Sequence, residues 1–165
     1  MVSRVRDAFK RLLASRWTYV GGGVITVVLA TSMALGGVAG PACSESPGQL
    51  ANRLGELQKT YAAVYQEASA DIQPCQSLDC ERPAKLEIAA SLRSYNQGLS
   101  HVCWRTSDQS LVNALTTANS TAAVAYNSWA DAATPADDQV FASAAIRAVA
   151  SQGAAARRLT SHIQP

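Results

Sequence analysis

Four cysteines, Cys43, Cys75, Cys80 and Cys103, are the residues of this chain whose type and spacing most plainly predict chemistry. Four thiols hold a metal ion or form two disulfides. One C-x₄-C pair with two isolated cysteines is not a zinc-ligand spacing, and His101 and His162 do not complete it, so no metal is expected. An even number of cysteines in an oxidising compartment predicts disulfides.

Nucleophilic catalysis needs a base within reach of Ser, Thr or Cys. His101, two residues before Cys103, is the one central histidine, and His162 lies at the C-terminal end. Asp137 and Asp138 are adjacent but follow Thr134-Pro135, where acids complement a helix start. Gly21-Gly22-Gly23 is followed by no P-loop lysine. Asn119-Ser120-Thr121 matches a glycosylation sequon but falls inside a helical pattern. These patterns predict a protein that is not an enzyme and carries no cofactor.

The elements that position these groups begin with a polar asymmetry. Residues 1–16 hold five basic side chains against one acid, whereas the rest of the chain is mildly acidic. Such a body is a poor partner for nucleic acid. Val20 to Ala42 then carries no charge, about 23 residues or roughly 30–35 Å of helix, enough to cross a bilayer. Trp17 and Tyr19 stand at its basic end, where amphipathic rings favour the headgroup level. The organisation expected is a basic cytoplasmic flank over 1–16, a transmembrane signal-anchor over 17–42 and an extracytoplasmic domain over 43–165. Cleavage after Ala42, releasing a secreted form, is the alternative. Lipidation of Cys43 fits poorly, because Gly40 and Pro41 occupy positions where an aliphatic and a small residue are usual.

The body reads as four helices. Ser46-Pro47-Gly48-Gln49 forms a capping box ahead of Leu50, Leu54, Leu57, Tyr61, Val64 and Ala68. A second helix is expected from Glu81 or Pro83, capped by Asp79, with Ile88, Leu92, Tyr95, Leu99 and Val102 inward. Thr106 and Gln109 predict a cap for a third, whose stripe is Leu111, Leu115, Ala118, Ala122, Ala125 and Trp129. Thr134 and Pro135 open the fourth, with Phe141, Ala145, Ala148 and Leu159 inward. Short connections predict an all-α, up-and-down bundle. Antiparallel packing then selects among the three pairings that four cysteines allow, placing Cys43 with Cys103 and Cys75 with Cys80 at opposite ends of one hairpin.

No motif specifies an activity. Anchor and helical body together predict an interaction or assembly subunit of an envelope or membrane complex, whose partner is a membrane or envelope protein. Two other classes fit the same architecture: a ligand-binding sensor bundle and an envelope-lysis accessory protein of the phage type. Two surfaces are candidates for the contact. Ser32, Gly36 and Gly40 recur every fourth residue in the membrane segment, where small side chains let helices approach. Tyr65, Val112, Val124 and Tyr126 fall off the expected stripes and are read as partly exposed.

Overall fold

The computed structural model describes residues 45–164. These residues form four α-helices: α1 (Pro47–Ile72), α2 (Leu78–Ser100), α3 (Gln109–Ala130) and α4 (Pro135–Ile163). Among the described residues there is no strand.

Start chemistry sets two of these helices where the sequence places them. Ser46 Oγ accepts the Gln49 amide at 3.3 Å while Gln49 Oε1 accepts the Ser46 amide at 2.8 Å, and Pro47 follows as the first helical residue. Thr134 Oγ1 accepts the Asp137 amide and Pro135 opens α4. Both caps satisfy amides that the helix itself leaves without acceptors.

The other two starts differ from expectation. Ser77, not Asp79, caps α2 by accepting the Cys80 amide, so the helix begins at Leu78 and Pro83 lies inside it. Pro83 is still within the first two turns and is exposed, so the carbonyl that its missing N–H leaves unbonded is close to water. No Thr106–Gln109 box forms either. Asp108 precedes α3 without a side-chain cap, because its carboxylate is held by Arg105, and the Gln109 amide side chain turns forward to Asn113.

Each helix packs on the next in the chain, and α1 also touches α4. Two apolar clusters fill the interior. One joins Leu50 and Leu54 of α1, Tyr95 and Leu99 of α2, Val112 and Leu115 of α3 and Leu159 and Ile163 of α4. The other joins Ala68 and Ile72, Ile88 and Leu92, Tyr126 and Trp129, and Ala142 and Ala145. The start of each helix thus meets the end of its neighbour, which is the antiparallel up-and-down arrangement. Tyr61 packs against both clusters and joins them.

Close approach has a specific cause at one point. A Cβ on Gly98 of α2 would overlap Leu57 Cδ2 of α1, so the absent side chain is the hole that Leu57 fills. Cys75 and Cys80 form a disulfide across the α1–α2 turn, the one bridge among the described residues. No described cysteine is free. Cys43, the other half of the expected Cys43–Cys103 pair, lies outside the described residues, as do Ser32, Gly36, Gly40 and the segment 17–42 expected to cross the membrane. Among the described residues no helix is long and apolar enough to cross a membrane.

Candidate functional site

Of the four residues expected to be partly exposed, the structure leaves Val124 and Tyr65 open to solvent and encloses Val112 and Tyr126. Val124 is 64 % exposed, but Val112 is 5 % exposed, Tyr126 is fully buried and Tyr65 is half-buried. The correction follows from a rotation of α3. Its buried face is Val112, Leu115, Asn119, Ala122, Tyr126 and Trp129, also in steps of three and four, while Leu111, Ala118 and Ala125 are only partly covered. The interior takes the face of Val112 and Tyr126, which also carries the polar Asn119. Asn119 Nδ2 donates to Asn96 Oδ1 at 2.7 Å, while the buried Asn119 Oδ1 accepts no hydrogen bond. Buried in this way, Asn119 cannot serve as a glycosylation acceptor in the folded chain.

Polar groups gather at three interior places. At the first, Lys85 is 1 % exposed, and its Nζ lies 2.9 Å from Asp138 Oδ1, 3.0 Å from Glu81 Oε2 and 4.4 Å from the centre of the Trp129 ring. Trp129 Nε1 donates to the same Asp138 oxygen at 2.6 Å. One buried cation is therefore matched by two carboxylates and a ring face, which offsets the cost of removing it from water. The cluster ties α2 to the ends of α3 and α4.

At the opposite end, the buried Asp108 carboxylate accepts two bonds from the Arg105 guanidinium, at 2.7 and 2.9 Å, and one from Ser107. His162 Nε2 of α4 stands 3.4 Å from the same Oδ1. The Arg105 fork holds the Asp108 carboxyl below the ordinary carboxylate range. Serine, histidine and aspartate are thus neighbours, but the aspartate is the hub: His162 and Ser107 both face Asp108, and no base is placed on Ser107. His101 is an exposed C-cap of α2. Among the described residues no three His, Cys, Asp or Glu side chains gather as a metal-ligand set.

Tyrosines occupy the third place. Tyr61 stacks on Tyr95 with ring centres 5.7 Å apart, Tyr65 meets Tyr126 edge-on, and the Tyr126 hydroxyl donates to Tyr65 Oη at 3.4 Å. Burial pushes all four phenols above the ordinary tyrosine range, and neighbouring phenols add to the effect at Tyr61 and Tyr126. The Tyr61 and Tyr95 hydroxyls have no partner of good geometry, although Gln58 comes close to Tyr95.

Open clefts lie between neighbouring helices among the described residues. One of about 320 Å³ lies between α1 and α2 beside Tyr61 and Tyr95. Another, about 520 Å³, lies between α3 and α4 and is walled by Ser110, Asn113, Ala114, Thr117, Ala118 and Thr121 on one side and Ala148 and Ser151 on the other. Val124 is one turn beyond Thr121 on α3, and Val140 is two turns before Ala148 on α4, both toward the same end of the bundle. Each valine is 64 % exposed. The cleft is walled by small side chains, and the two valines are bare aliphatic groups farther along the same two helices, outside its lining.

No family model, curated protein or solved structure matches the chain.

Sequence reasoning missed both ion clusters. Their local halves were visible, as Glu81 and Lys85 at i,i+4 and Arg105 and Asp108 at i,i+3. Lys85 also stands between Ala84 and Ile88 on the apolar face, the one signal that a cation is drawn inward.

Proposed function

We propose that this chain is a single-pass membrane protein whose extracytoplasmic bundle is an interaction subunit, and that the α3–α4 furrow receives a helix of a membrane or envelope partner. The observation that carries this reading is a cleft of small side chains between α3 and α4, on the two helices that also expose Val124 and Val140. A helix needs a groove of small residues to approach closely, and apolar anchors at spaced turns to gain affinity. Exposed β-branched side chains contribute nothing to the bundle's own core, so their burial is gained only on contact.

The interior, by contrast, is occupied by the tyrosine stack and the Lys85 cluster. That filling favours surface recognition over a ligand enclosed between the helices. The anchor rests on residues 17–42, with residues 1–16 cytoplasmic, and Ser32, Gly36 and Gly40 would give the same partner a second contact within the bilayer. A Cys43–Cys103 bridge would fix the start of α1 beside the α2–α3 turn.

Val124→Arg with Val140→Arg should abolish co-purification of the membrane partner while leaving helix content and unfolding temperature unchanged. Replacing Gly36 and Gly40 by Leu should weaken the association without altering the bundle. Retention of the same partner by the double arginine variant would remove the furrow from the account.

A further inference from the structure

We infer that the Cys75–Cys80 disulfide is a reducible clasp, opened by an external dithiol without unfolding the bundle, and that its opening loosens the end of the bundle that holds Lys85. This goes beyond the proposed docking role and does not depend on it.

The two sulfurs differ in surroundings. Cys80 is exposed, so a thiolate in solution can reach its sulfur, and it lies in the first turn of α2, where helix amides favour its release as a thiolate in the second step. Cys75 is buried behind it. An attacking thiolate therefore reaches the Cys80 sulfur and forms a mixed disulfide there, expelling Cys75 as a thiolate that takes up a proton. The second thiolate of the same reagent then attacks its own sulfur in that mixed disulfide and releases Cys80. The reagent ends as a cyclic disulfide and the clasp as two thiols, with the electrons balanced.

The reduced state has a place waiting for it. Cys75 Sγ lies 3.4 Å from the Asp71 carbonyl oxygen. A disulfide sulfur has no hydrogen to donate, but the freed Cys75 thiol would give its S–H to that carbonyl, so reduction leaves no buried polar group stranded. The Cys80 amide is already held by Ser77 Oγ, and that bond needs no disulfide. The bridge closes a loop of only a few residues, so it withholds little chain entropy from the unfolded state and its loss leaves the fold standing.

Its loss still has a local consequence. Cys80 is followed by Glu81, whose carboxylate holds Lys85, and Cys75 is three residues past Ile72, which closes the apolar cluster over that end. Freed from the clasp, the last turn of α1 and the first turn of α2 can separate.

The test uses the full chain in membrane vesicles, titrated with dithiothreitol and followed by cysteine alkylation and backbone hydrogen exchange. Cys75 and Cys80 should become alkylated while helix content is retained. Exchange should rise about tenfold over residues 69–86 and stay unchanged around Leu99, Leu115 and Leu159. Cys75→Ser with Cys80→Ser, kept oxidised, should show the same exchange pattern without reductant, separating this clasp from any other bridge. Resistance of both cysteines until helicity collapses, or wild-type exchange over residues 69–86 in the double variant, would overturn the inference.

Discussion

Lys85 Nζ and Asp138 Oδ1 are 2.9 Å apart across the second and fourth helices, with the ammonium enclosed and the Trp129 indole donating to the same oxygen. Removing one partner of an enclosed pair leaves the other desolvated and alone. Lys85→Ala should therefore destabilise the bundle by about 3 kcal/mol, the low end for a buried pair because Asp138 is a quarter exposed. Urea unfolding checks this. A double-mutant cycle with Asp138→Asn should return a coupling above about 1 kcal/mol.

Gly98 sets two opposed effects against each other. Alanine is the better helix former by about 1 kcal/mol, yet its Cβ would overlap Leu57, and overpacking costs about 1–3 kcal/mol. The steric term should win, so Gly98→Ala lowers the unfolding temperature. Adding Leu57→Ala should recover part of the loss, whereas a simple gain from Gly98→Ala would mean that the Leu57 side chain turns aside to admit the methyl.

Helix starts were legible where a cap and a proline stand together, as at Ser46-Pro47 and Thr134-Pro135. Pro83 misled for the same reason: it resembles a first helical residue, while Ser77 makes the cap six positions earlier. In α3 two faces share the helical period, and composition along one strip cannot say which turns inward; only neighbouring helices decide, and they choose the face of Val112 and Tyr126. The ion clusters were illegible for a related reason. Lys85 meets Asp138 across 53 residues, and nothing local in either segment encodes that meeting.

Acid should weaken the opposite end first. The Asp108 carboxyl is held below its ordinary range by Arg105, so its contribution is present above about pH 4 and is lost as pH falls through the lowered folded value. Asp108→Asn should flatten the stability profile below about pH 4. An unchanged acid slope in that variant would show that another carboxylate dominates.

Alkali should act through the tyrosines. Their folded pKa values are raised, so their contribution is complete below about pH 10 and is lost as pH climbs toward the folded values. Tyrosinate absorbance should therefore rise together with loss of helix, in one transition. Ionisation of Tyr61, Tyr65, Tyr95 and Tyr126 at the ordinary pH with helicity intact would contradict the enclosed stack.

The claim that a partner helix lies in the α3–α4 furrow is tested most directly by photo-crosslinking in the native membrane, with a photoreactive residue at Val124 and, for comparison, at Glu67 on the exposed side of α1. Position 124 should give a discrete adduct with a membrane protein and position 67 none. Ala114→Phe, which fills the furrow, should remove the adduct while the bundle stays folded. The same adducts from both positions, or an adduct from 124 that survives Ala114→Phe, would contradict that claim.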